Sequence, residues 1–452
     1  MNKKETVMTT KEYHLPKGYS LLQVLLKTGA FLKNPVNFVE QSMEKFGDSY
    51  SAVLPGNRQI MWTRNPDFID HVLRVNQKNY KKSEFSVGRA SDFFGKGLVF
   101  ANGQEWRRNR RLIQPAFHRK KLMGLHGIMI KTIQDVLAEM PTQKPIDIYP
   151  FMGNLTFKVL VNSLFDISLS EELLTELNEL FVELQIFLID EANRPYKKLF
   201  YPINGVEKRQ YAKAERFRAI TRNIIQERKE SNQNFTDILD MLLNSTFEDT
   251  GEHMNEDQII DELLVLLFAG FETTSNTLSW LLFLLADNTE VKEKLVASLE
   301  GKHINEVAQN EYLKATINEA MRLYPAAWMS ERIAIEDDTL GEYRIPAETH
   351  IMIFFYGVHR NEKLWNAPDE FQPERFLKDG KTIKAKGFFP FGTGPRMCIG
   401  NHFALAEIAF FVHAFFEKFD VETTGQIPKM NPLLTLQPDK IMLKVRPVSV
   451  GS

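Results

Sequence analysis

The chain has 452 residues, 43% of them hydrophobic and 34 of them Phe, enough to build a core around a large apolar group. Its 56 Lys and Arg against 58 Asp and Glu leave a net charge of −2, which removes any electrostatic case for a nucleic-acid partner. A single Cys excludes an internal disulfide and fits a reducing, cytoplasmic compartment.

In chain order, residues 1–20 are polar and read as a flexible lead-in without a signal-peptide cleavage pattern. The apolar run 21–27 is too short to span a bilayer, leaving residues 21–32 at most a surface-grazing role. Apolar and polar residues alternate around 51–62, predicting strands of a small sheet within 47–75, and 83–103, rich in Gly, Ser and Phe, reads as a long loop. A helix begins at Trp106. Trp106 and Arg110 share one face, while Arg107, Arg108 and Arg111 add basic charge. Residues 122–240 read as successive amphipathic helices, and no repeat, low-complexity tract or linker divides the chain.

Asn255 and Gln258 have the spacing of a helix N-cap with its N3 partner, and the helical pattern then runs to about Asp287. Residues 263–271 are apolar all round, so this helix is buried and the polar residues at its middle need a reason. Thr273 is placed to bond back to the carbonyl of Ala269 and bend the helix. A buried Glu272 is either an ion-pair partner or part of a proton relay. Glu319 and Arg322, three apart on a helix, can pair, with Arg375 completing a charged network. Two apparent nucleotide motifs fail, since position 397 is Met rather than the third Gly of a dinucleotide fingerprint and position 375 is Arg rather than the first Gly of a phosphate loop.

The only cysteine stands in Phe391-Gly392-Thr393-Gly394-Pro395-Arg396-Met397-Cys398-Ile399-Gly400, a loop feeding a helix. Backbone N–H groups and the helix end facing the sulfur predict a lowered thiol pKa. Phe391, Gly394, Arg396, Cys398 and Gly400 together resemble the haem-ligand loop of the haem-thiolate monooxygenases, the cytochrome P-450 superfamily in its soluble bacterial type. With Ala269-Gly270-Phe271-Glu272-Thr273-Thr274, Glu319-x-x-Arg322 and Pro373-Glu374-Arg375-Phe376 the resemblance covers nearly the whole chain.

That resemblance implies one domain over 1–452, mainly α with a smaller β-rich part, and a haem between the long central helix and the Cys-loop helix. It implies haem b with Cys398 as iron ligand and Phe391 shielding the sulfur. Trp106, Arg110, Arg332 and Arg396 would sit at the propionates and Gly270 beside the cofactor. Glu272 and Thr273 would be catalytic, routing protons, while Glu319, Arg322 and Arg375 would be structural. Trp328 and Leu434 would border the pocket, though such a Trp more often packs in the core. The implied reaction inserts one atom of O2 into a C–H bond of a small organic substrate, by hydroxylation or oxidative O-demethylation. Electrons would come from a separate ferredoxin or flavodoxin with its reductase, docking on Arg107, Arg108, Arg111, Lys384 and Lys386, with no integral membrane segment. The alternatives are a peroxide-driven fatty-acid peroxygenase, against which Glu272-Thr273 argues, and a non-catalytic haem-thiolate sensor. Abundant Phe favours a fatty acid or terpenoid, whereas Arg89, Asp190, Asn193 and Arg194 leave room for a methoxylated sugar.

Overall fold

The computed structural model describes residues 14–165, 169–231, 235, 237–247 and 249–448. Its contacts gather into two compact units. One takes in the chain up to Ser83 with Met329–Val358 and Thr393–Pro395; the other holds Glu84–Trp328, His359–Gly392 and the chain from Arg396. The sequence reads as a single domain because no linker composition marks the division between these two units.

The first unit is a six-stranded sheet in the order Gly18–Tyr19, Ser49–Leu54, Arg58–Thr63, His350–Ile353, Ser330–Ala334, Tyr80–Lys81. Its hairpin falls where the alternating pattern predicts, with Tyr50 opposite Trp62 and Ser51 opposite Met61. Residues 1–13 lie outside the described residues, but Gly18 and Tyr19 pair with Ser51 and Ala52, so the end of the expected flexible lead-in is a strand. Helix Leu21–Lys33 follows, its start fixed by a reciprocal Ser20–Gln23 capping box. Helix Pro35–Phe46 then begins at an Asn34 cap with Pro in its first turn, and buries Val36, Val39 and Met43.

The second unit is mainly helical around Glu256–Asp287, 32 residues long, or about 48 Å at the usual rise per residue. Asn255 Oδ1 accepts from the Gln258 N–H at 2.9 Å and Gln258 Oε1 accepts from the Asn255 N–H at 3.2 Å, the predicted cap. Leu263, Leu264, Val265 and Leu267 are all buried, which only a helix covered on every side permits. Each such side chain stabilises the fold by about 1.5–3 kcal/mol. Helix Ile148–Phe165 packs against the central helix so closely that a Cβ on Gly270 would lie 2.7 Å from Leu160 Cδ2. Glu84–Phe94 is a helix where the sequence reads as a loop. Its Gly and Ser weaken propensity, but Phe93 and Phe94, 1% and 0% exposed, anchor its end in the core, and that burial outweighs propensity.

The Cys-loop helix Asn401–Lys418 leads into an antiparallel sheet in the order Phe419–Thr423, Met442–Pro447, Ile146–Asp147. The hairpin Met430–Pro432 and Leu436–Pro438 is held to the central helix by the Trp280 indole, which donates to the Leu436 carbonyl at 3.2 Å. Trp328 is buried and donates its own indole N–H to Leu433 O at 3.0 Å, a core role. No helix among the described residues is long and apolar enough to cross a membrane.

Candidate active site

The loop before Asn401–Lys418 is fixed by two hydrogen bonds: the Cys398 N–H donates to Phe391 O at 3.0 Å, and the Phe389 N–H donates to His359 Nε2 at 2.9 Å. His359 is buried, and desolvation with the nearby Arg322 and Arg360 holds its pKa down at about 3, so it stays the neutral acceptor this bond needs. Gly394 has φ +74°, and a Cβ there would meet Leu73 O at 2.0 Å, so its glycine is required by backbone within the first unit. Phe391 packs half-buried against the core.

Cys398 is exposed on one side, yet the protein around it strips away most of its hydration, and burial pushes the thiol pKa up. The Gly400 N–H and the Arg110 guanidinium pull it down without compensating. The lowered thiol pKa expected from the helix end is therefore corrected to a raised one, because desolvation outweighs the local dipoles.

Trp106 is buried, and the Arg396 guanidinium lies 4.3 Å from its ring centroid. Arg396 donates to Ala101 O at 3.1 Å and to Asn102 Oδ1 at 3.2 Å. Arg110 donates to Gln114 Oε1 at 3.2 Å. Neither guanidinium has a carboxylate partner among the described residues. Desolvation, reinforced by Arg107, pulls Arg396 down to about 10, and desolvation lowers Arg110 as well. Both are partly buried, and a partly desolvated cation without a counter-charge favours a bound anion. An exposed thiol beside two anionless guanidiniums fits an apolar macrocycle that carries carboxylates and takes a sulfur ligand. Arg332, the other expected propionate partner, lies in the first unit, where it is buried and donates to Ser330 Oγ at 3.1 Å and Glu331 O at 2.7 Å.

On the central helix, Thr273 Oγ1 donates to Ala269 O at 3.0 Å, as predicted, and lies 3.3 Å from Gly270 O. Phe268, Ala269, Gly270 and Thr273 keep partial exposure in a stretch otherwise buried, so the helix opens along this side. Gly270 has a second reason in its contact with Leu160, which the sequence did not show.

Glu272 is 4% exposed and accepts from Gln185 Nε2 at 2.5 Å, from Gln437 Nε2 at 2.7 Å and from Thr435 Oγ1. All three donors are neutral, so the ion-pair reading of Glu272 gives way to a carboxylate caged by amides and a hydroxyl. These donors lie 87, 165 and 163 residues away, too far along the chain for any local pattern to signal them. The carboxylate borders a cavity of about 610 Å³ that Asn154, Asn178, Ser275 and Leu433 also line. Asp190 and Arg194 line it too, and their side chains are 32% and 56% exposed, so the cavity reaches the surface. Leu434, expected at the pocket, is 58% exposed and does not line this cavity.

The Glu319–Arg322 pair is fully buried, with Arg322 Nε 2.7 Å from Glu319 Oε2 and Nη2 2.8 Å from Oε1. Arg375 Nε donates to Glu319 Oε1 at 2.9 Å, and Arg322 Nη1 donates to His359 O at 2.9 Å. Through His359 this network meets the segment entering the Cys loop. It is the structural support expected of it.

A family model described as Cytochrome P450 matches residues 14–445. A cyclooctat-9-en-7-ol 5-monooxygenase from Streptomyces melanosporofaciens is 29% identical, over 85% of this chain and 84% of the relative. Cytochrome P450 3A14 from Cavia porcellus is also 29% identical, over 92% and 88%. Among solved structures, the heme domain of cytochrome P450DA superposes with a TM-score of 0.85 at 21% identity, covering 96% of this chain and 98% of the other.

Proposed function

The chain belongs to the cytochrome P450 family, and from that premise we propose that it is a monooxygenase of apolar ring compounds whose Glu272 receives protons through a water-accessible cavity and passes them to Thr273. Cys398 Sγ would hold the iron of haem b, and Arg110 and Arg396, with Trp106, would hold its carboxylates. When bound, haem supplies the iron at which dioxygen is activated for insertion into a C–H bond. The remaining work belongs to the chain's own side chains. Glu272 is held by donors that carry no charge, so turning its carboxylate toward Thr273 breaks hydrogen bonds worth about 1 kcal/mol each rather than a buried ion pair. Thr273 Oγ1 donates its proton to Ala269 O, which leaves its lone pairs to accept one; passing a proton on turns the hydroxyl away from that carbonyl. The observation that carries this reading is the Glu272 carboxylate at the wall of a cavity open to solvent. Thr273→Ala is expected to keep haem and substrate but to lower product formed per reductant consumed at least several-fold, with the deficit as hydrogen peroxide; positioned proton transfer contributes about 10²–10⁴-fold. Unchanged coupling would remove Thr273 from the route.

The substrate reading rests on what lines the open side of the helix. Phe268 stands 4.7 Å from Phe94 and 5.5 Å from Phe100, ring centroid to centroid. The candidate polar contacts are already engaged: Arg89 with Glu191 and Glu207, and Asp190 with Arg194 and Lys197. The Asn193 side chain lies outside the described ones. A hydrocarbon ring bearing one hydroxyl, as in the name of the Streptomyces relative, suits such a wall better than a sugar. A Soret shift on titration with such ring alcohols, and none with methyl glycosides, is the expected result.

Electrons come from a separate acidic ferredoxin or flavodoxin. Arg107 and Arg111 are exposed, have no carboxylate partner among the described residues and line a pocket of about 330 Å³. Arg108, expected to join them, instead pairs with Asp249 at 3.3 Å and lies 3.8 Å from the Phe247 ring centroid. Arg107→Glu with Arg111→Glu is expected to slow first-electron transfer roughly tenfold or more, the range of electrostatic steering, and to flatten its dependence on salt. Stopped-flow reduction under CO checks this; rates indifferent to both charge and salt would place the donor elsewhere.

A further inference from the structure

Helix Leu21–Lys33 buries none of its residues. Leu21, Leu22, Leu25, Leu26 and Leu32 are 40%, 67%, 55%, 77% and 57% exposed. At 3.6 residues per turn these five fall within about 140° of arc, a single stripe. The opposite side carries the helix's two half-buried residues, Val24 and Phe31, and Phe31 reaches the ring of Trp62 at 6.4 Å. The helix is therefore seated on its own unit with the leucines turned out, and its capping box and the Asn34 cap fix that orientation. Monomeric soluble proteins rarely leave so continuous an apolar face uncovered.

The charges around the stripe select what covers it. Lys33 falls within the arc of the stripe and Lys17 lies four residues before its first leucine, whereas Lys27 is on the opposite side, 5.7 Å over the Tyr19 ring; no Asp or Glu occurs between positions 17 and 34. A second copy docking face to face would bring Lys17 and Lys33 against their own equivalents. Residues 1–13 offer only Met1, Val7, Met8 and Tyr13 as apolar side chains, too few to cover five leucines. A helix of 13 residues is about 20 Å long, short of the ~30 Å hydrocarbon core, so it cannot span a bilayer but can lie within its surface. We propose that Leu21–Lys33 is a membrane-surface docking helix, its leucine stripe lying at the acyl boundary of an anionic bilayer and Lys17 and Lys33 meeting lipid phosphates. The binding is reversible, since one short amphipathic helix is a weak anchor. It would bring the enzyme to a phase in which apolar compounds concentrate.

The test uses the full-length haem-loaded protein in flotation with extruded vesicles, one set of phosphatidylcholine and one of equal parts phosphatidylcholine and phosphatidylglycerol. The expected result is flotation with the anionic vesicles, weakened by high salt, and little with the neutral ones. Leu22→Glu with Leu26→Glu should cut the bound fraction at least tenfold, and Lys17→Glu with Lys33→Glu should cut binding to anionic vesicles several-fold. Both pairs should keep the wild-type thermal midpoint and haem spectrum, because these side chains are exposed. Wild-type protein that fails to float, or flotation that the leucine pair leaves unchanged, overturns the proposal. So does a dimer formed without lipid and dissolved by the same leucine pair, since that outcome gives the stripe to a second copy.

Discussion

Exchanging Cys398 for His is expected to abolish the long-wavelength Soret band that marks a thiolate-ligated ferrous–CO complex, leaving a band of the histidine type. The effect should be complete rather than graded, because the sequence has no other cysteine to take over. The loop geometry does not depend on the sulfur. Its hydrogen bonds run from the Cys398 N–H to Phe391 O and from the Phe389 N–H to His359, and a substitution at Cβ keeps both. The variant should therefore remain folded. Spectra of the reduced, CO-treated protein check this, and an unchanged band would remove Cys398 from the iron.

Removing the carboxylate of Glu319 should be the most damaging single change to the fold. Glu319 and Arg322 are both 0% exposed, and Arg322 also serves the carbonyls of His359, Pro368 and Glu370. Glu319→Ala leaves that guanidinium buried without a counter-charge, and breaking a buried pair from one side costs about 3–5 kcal/mol. It also frees Arg375 Nε and the Gln372 N–H, which both donate to Glu319 Oε1 at 2.9 Å. Because Arg322 holds His359, and His359 holds Phe389, the disturbance reaches the Cys loop, and haem uptake should fall along with stability. Urea unfolding of wild type and variant measures the loss; a difference below about 1 kcal/mol, the scale of an ordinary hydrogen bond, would mean the network carries little.

Features set by neighbours in sequence were legible beforehand. Asn255 and Gln258 cap the central helix as their spacing predicts, and Thr273 reaches Ala269 because the two are one turn apart. Glu319 and Arg322 pair for the same reason. What the sequence withheld depends on distant partners or on the balance of opposing terms. The neutral cage of Glu272 is assembled from a helix and a hairpin far along the chain. The helix Glu84–Phe94 is decided by where Phe93 and Phe94 are buried. The rise in the Cys398 thiol pKa is a contest between dipoles and desolvation whose winner no motif reveals. Arg108 looks like its neighbours in the sequence and differs only because Asp249 and Phe247 come to meet it.

The exposed Cys398, alone of its kind, gives the molecule a built-in census. Iron ligation and alkylation compete for the same sulfur atom, so a maleimide dye applied to a native preparation should mark only chains that lack their cofactor. Dye bound per chain then counts the inactive fraction directly, without a spectral standard. The same arithmetic warns against fluorescent tagging through cysteine, since every labelled molecule would be one that cannot turn over.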